Sequence, residues 1–205
     1  MKWSLVFLIL LVAATAAGAE KISLSQYYPA RDKLIWDYSA QEVKNCFTQV
    51  VTCIVPKNKR KAGYDFYLDT QSIRHTKYYY QIDGDWIYLV RLDVKSSAFP
   101  IPLTFSVKPR MPAFPLKIND VARPSWHWEG KYTSVLLKKT FRADFWMDRN
   151  VQVDTYKGTL QGLKLHATYT DGEKEEKLES WYAKDLGLVY FSAPNHVKHL
   201  TKIKS

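Results

Sequence analysis

Cysteine is almost missing from this chain: there are two, Cys46 and Cys53, in 205 residues. That is too few for a zinc ribbon, and their spacing is wrong for a C-x-x-C redox site. Catalytic signatures are missing too. There is no G-x-S-x-G elbow, no H-E-x-x-H, no phosphate-binding glycine loop and no G-x-G-x-x-G. The five histidines are scattered. His196 and His199 form H-x-x-H, but in a strand that spacing sends them to opposite faces, so no metal site is expected. No pair of carboxylates is marked out for acid–base work, since Asp83 and Asp85 flank a turn glycine and Glu175 and Glu176 sit in a charged strand. The expectation is a protein that is not an enzyme and needs no cofactor. None of the five asparagines starts an N-x-[ST] sequon, which favours a bacterial secretory route. No second long apolar run exists downstream of the first, so no transmembrane segment is expected in the mature chain.

What is present begins with an export signal. Lys2 is a positive start, Trp3 to Val12 is apolar, and Ala17-Gly18-Ala19 is a small-residue cleavage pattern. Met1 to Ala19 is therefore expected to be a cleavable signal peptide, followed by one β-rich domain from Glu20 to Ser205. No cysteine follows the cleavage point to take a lipid, so a soluble periplasmic or secreted product is expected. The formal net charge of +10 points to anionic partners outside the cytosol: an envelope lipid, a lipoprotein or an anionic polymer, and not nucleic acid. Nothing marks an oligomeric state. Two cysteines seven positions apart in one straight strand would stand about 23 Å from each other, so a bridge requires the chain to turn back between them. Export permits it. A Cys46–Cys53 disulfide is expected, with two reduced, buried thiols as the alternative.

The fold class reads as mainly β: a curved antiparallel sheet or incomplete β-barrel with few short helices. Aromatic residues make up 15% of the chain and suit cross-strand packing. His75 to Val94 reads as a hairpin about Asp83-Gly84, with Tyr80 opposite Ile87 and Tyr78 opposite Leu89. Leu163 to Tyr182 reads as a second hairpin about Asp171-Gly172, with His166 facing Lys177 and Lys164 facing Glu179. Asp32 to Glu42 reads as a turn or short helix. Residues 100 to 124 hold six of the nine prolines and read as irregular or edge structure. Val197 to Ile203 alternates like an edge strand protected by its lysines.

Two constellations are candidates for binding. Trp126 and Trp128 share a strand face, and with Trp86, Tyr88 and Trp181 they are the candidate ligand-binding aromatics. The plain alternative is that they are core. Lys57, Lys59, Arg60 and Lys61 are a candidate anion-binding loop, against a solvated hairpin tip.

Several short blocks resemble a broad group of bacterial exported proteins. They are Tyr27-Tyr28-Pro29 with Trp36-Asp37-Tyr38, then Trp126-His127-Trp128-Glu129-Gly130, Gly158-Thr159-Leu160 with Leu163-Lys164-Leu165, and Glu179-Ser180-Trp181-Tyr182-Ala183 with Leu186-Gly187-Leu188-Val189. The resemblance implies an incomplete barrel like that of lipoprotein carriers (LolA/LolB-like) and carries no catalytic residues. The function expected is non-enzymatic binding of a hydrophobic or anionic envelope ligand (an acyl chain, lipid or extended peptide) in or on a curved sheet. The alternative is a structural component of an envelope complex with no small ligand.

Overall fold

A computed structural model describes residues 21–42, 45–72, 74–95, 102–172 and 174–204. The expected signal peptide lies outside them. In chain order the elements are β1 (Lys21–Ser23), a 3-10 turn (Ser25–Tyr27), β2 (Ile35–Glu42), β3 (Asn45–Ile54), α1 (Lys59–Ala62), β4 (Phe66–Gln71), β5 (His75–Asp83), β6 (Trp86–Lys95) and β7 (Leu103–Pro115). There follow β8 (Lys117–Asn119), β9 (Ser125–Thr133), β10 (Lys138–Thr155), β11 (Gly158–Thr170), β12 (Glu175–Ala183), β13 (Gly187–Ala193) and β14 (His196–Lys204).

Twelve strands run β10-β11-β12-β13-β14-β2-β3-β4-β5-β6-β7-β9 and close back on β10, every neighbour antiparallel. The mainly β class is therefore right, and the barrel is closed rather than incomplete. Closure pairs β14 with β2 along its length and with β13 over His196–His199, so Lys198 lies in a stretch bonded on both sides. Lys198 is therefore no edge guard, whereas Lys202 and Lys204 lie where β14 pairs with β2 alone. The stretch from residue 35 to Glu42 is strand and not helix, because Trp36, Tyr38 and Ala40 alternate as buried residues along β2.

Both hairpins form, each shifted by two positions from the expected register. Ile82 pairs with Ile87 and Tyr80 with Leu89, while His166 pairs with Glu179 and Thr168 with Lys177. In each turn the aspartate is the last paired residue and the glycine takes the first loop position, with φ +56° at Gly84 and +97° at Gly172. A two-residue shift keeps every side chain on its expected face, so Lys164 still reaches Glu179, at 2.9 Å.

The proline-rich stretch becomes the weakest seam. β7 meets β9 over only three residue pairs, Ser106–Thr133 to Lys108–Lys131. Two indoles bridge it: Trp128 Nε1 donates to the Pro109 carbonyl at 3.0 Å and Trp126 Nε1 to the Pro112 carbonyl at 3.1 Å. Gly130 is required beside them, since a Cβ there would lie 2.3 Å from the Trp128 ring.

Cys46 and Cys53 both lie in β3, one exposed and one buried, and both are free. The expected disulfide is overturned because no turn separates them. Burial pushes the Cys53 thiol up to about 12.

Candidate functional site

About eight strands make a barrel that its own side chains fill, and more strands leave space. Twelve leave a lumen of about 730 Å³. Its two ends differ.

One end has a floor. The chain between β1 and β2 crosses it, led by the 3-10 turn, and Leu24, Tyr27 and Leu34 are buried there. The Tyr28 ring lies 5.2 Å from Phe114 and 6.1 Å from Phe66 between ring centroids. Burial and the neighbouring phenols Tyr80 and Tyr182 hold its hydroxyl neutral. Backbone bonds tie the crossing segment down: Asp185 N–H donates to Gln26 O at 2.8 Å, Lys33 N–H to Cys53 O at 2.8 Å. Trp36 Nε1 donates to Leu186 O at 2.8 Å, and Tyr38 Oη to Leu188 O at 2.8 Å.

The middle of the lumen is apolar, with a belt of phenols. Leu89, Met111, Phe145 and Leu165 line it beside Tyr78, Tyr80, Tyr132, Tyr169 and Tyr182. Burial raises the pKa of each of these tyrosines, so all are neutral donors and acceptors around pH 7.

One cation breaks this surface. Lys198 projects inward from β14, and its Nζ donates to Gln49 Oε1 at 2.9 Å. The ammonium sits 4.8 Å from the Tyr38 ring centroid and 5.5 Å from that of Phe191. Burial pulls its pKa down from 10.5 to about 8.

The other end is an open mouth, lined by Glu42, Phe47, Arg74 and His196. Arg74 and Glu42 pair at 3.4 Å. His196 is held below its ordinary pKa, first by burial and then by the charge of Lys198. The β9–β10 turn stands on this rim. Val135 is fully exposed (101%), as are Leu136 and Leu137 in large part, and the turn is held by Leu136 and Leu137 N–H groups donating to Ser134 Oγ.

None of the five candidate aromatics lines the lumen. Trp126 stacks on Phe145 at 5.3 Å and meets Trp86 edge-on at 5.1 Å, and Trp128 is 4% exposed in the core. Tyr88 lies under Arg110 at 4.2 Å, and Trp181 packs against Tyr190 and Lys164 at 4.6 and 4.5 Å. Lys59, Arg60 and Lys61 form one exposed helical turn, capped by Asn58 Oδ1 accepting from Lys61 N–H at 3.0 Å and ended by Gly63 at φ +76°. Lys57 precedes it, also exposed. Lys59 already faces Asp65 at 3.5 Å. His196 and His199 point to opposite faces, His196 to the lumen and His199 against Tyr190. The residues that sequence reasoning missed are Lys198, Gln49 and the lumen tyrosines. The same-face series His196, Lys198, Leu200 was the available signal.

No family model matches the sequence, and no curated protein matches it. Among solved structures it is similar to a protein from Parabacteroides distasonis described as a lipoprotein. That pair shares 10% identity over 87% of this chain and 98% of the other, with a TM-score of 0.39. A protein from Bacteroides fragilis described as exported, with a YmcC-like fold, shares 9% identity over the same proportions, with a TM-score of 0.35.

Proposed function

We propose that this protein is an exported, non-enzymatic binding protein that holds one elongated amphiphile inside the barrel. The observation that carries the reading is the lumen itself: about 730 Å³, floored at one end, uncrossed at the other among the described residues, and walled mainly by apolar and aromatic groups. Ligand sites span roughly 300–1,000 Å³ and combine apolar walls with a few polar groups. Burying an acyl chain contributes about 0.8 kcal/mol per CH₂, so ten methylenes supply about 8 kcal/mol against the cost of association.

Three further features support it. The outer wall carries ion pairs such as Arg91–Asp93 at 2.6 Å and Arg123–Asp148 at 3.0 Å, which suits water better than a lipid-facing band. Among the described residues the middle of the lumen carries phenols held neutral and Lys198, with Glu42, Arg74 and His196 confined to the mouth, an arrangement that favours holding a ligand over acid–base chemistry. The aliphatic tip at Val135–Leu137, flanked by exposed Lys131, Lys138 and Lys139, would bring the mouth to an anionic lipid surface.

Titration of delipidated, refolded protein with a fluorescent naphthylphenylamine probe tests the reading. One saturable site, displaced by long-chain amphiphiles, is expected. Absence of saturable binding would reject it.

A further inference from the structure

Resting on that reading, we infer that Lys198 anchors the head of the ligand, so that the lumen selects single-chain amphiphiles ending in one carboxylate. An ammonium held in an apolar surround, as the half-buried Lys198 is, normally has a carboxylate partner, because the uncompensated charge is unfavourable there. Here the partner atom is a neutral amide oxygen, Gln49 Oε1. The carboxylate that lines the lumen among the described residues, Glu42, is paired with Arg74 at the mouth. The two rings beside the ammonium offer their faces and no charge.

The position fits a head group. Lys198 is two residues inward from the rim residue His196, about 7 Å at the usual rise of a strand. It pairs with Ala40 and Phe191, so its neighbours on either strand are small or apolar. Across the lumen lie Leu89, Met111 and Phe145, which would take the chain. One ammonium with three donors has two left after Gln49. That matches the two oxygens of a monoanion, whereas a phosphate monoester would bring surplus charge into the same apolar space.

The test compares oleate, oleyl alcohol and oleyl phosphate as competitors of the naphthylphenylamine probe on wild type, Lys198→Met and Lys198→Arg. Wild type is expected to prefer oleate at least tenfold over the alcohol. Lys198→Met should bind the probe and the alcohol as before and lose the oleate preference, while Lys198→Arg retains part of it. An oleate preference that survives in Lys198→Met would overturn the anchor. Oleyl phosphate outcompeting oleate on wild type would overturn the carboxylate assignment. If no amphiphile displaces the probe from wild type, the lumen reading fails and takes the anchor with it.

Discussion

The floor and the mouth of the barrel are built from the same strands and obey opposite rules. At the floor a segment outside the barrel is drawn across it, with its amides bonded to strand ends and its rings filling the space. At the mouth the charged groups remain, Arg74 with Glu42 and His196 below, and among the described residues no apolar segment crosses them. The contrast separates stability from binding. Removing atoms at the floor leaves a cavity in packed core, whereas the lumen is already open space, and its polar groups are disposable for folding.

The largest expected effect lies at the floor. Trp36→Ala removes a 6% exposed indole and its bond to Leu186, and should lower unfolding free energy by about 3–5 kcal/mol in urea titrations. Phe47→Ala at the mouth should cost under about 1 kcal/mol; equal losses would erase the distinction. Next comes a change of opposite sign. Lys198→Met should raise stability by up to about 1 kcal/mol, because a partly desolvated charge is replaced by a side chain of similar length. The folded-state pKa of Lys198 lies below its unfolded value, so the fold disfavours the charged form. The wild-type deficit is therefore full below about pH 8 and fades between about 8 and 10.5. Denaturation at pH 7 and pH 10 should show the two proteins converging.

A smaller effect sharpens the mouth. Oleate affinity should be flat below pH 8 and fall by up to about tenfold per unit above it, as Lys198 loses its proton. The titratable groups lining the same lumen include His196 on its own strand, Glu42 and Tyr38 on β2, Arg74 after β4 and Tyr182 on β12, with Tyr38 directly under the ammonium. His196 titrates below this window and Tyr38 and Tyr182 above it, so a calorimetric pH series on Lys198→Met should be flat. The smallest change in stability belongs to the rim. Leu136→Asp should leave stability within about 0.5 kcal/mol while reducing co-sedimentation with phosphatidylglycerol vesicles.

The strands, both hairpin sites and the opposed histidines were legible because alternation and turn glycines are local signals. Register was not: Asp-Gly is compatible with the aspartate either inside the loop or closing the ladder, and only the pairing decides. Inside and outside were also ambiguous. Tyr78 and Tyr80 face the lumen while Tyr79 lies outside beneath Arg91, 4.6 Å from its ring, so both faces of β5 read as aromatic. Trp126 and Trp128 looked like a platform, and their partners are proline carbonyls twenty or fewer residues away that no periodicity reveals. Lys198 looked like a guard because the closure that makes β14 an interior strand is a long-range fact.

That closure has a consequence for how the chain reaches its shape. β2 must wait for β14, and the bonds beside it, Trp36 to Leu186 and Tyr38 to Leu188, each span 150 residues. Contacts of such sequence separation form late and slowly. Until then β2 and β13 are both bare edges able to pair with another chain. A chain of this topology should refold slowly, and its yield should fall with protein concentration as the bare edges pair between molecules before the last strand arrives.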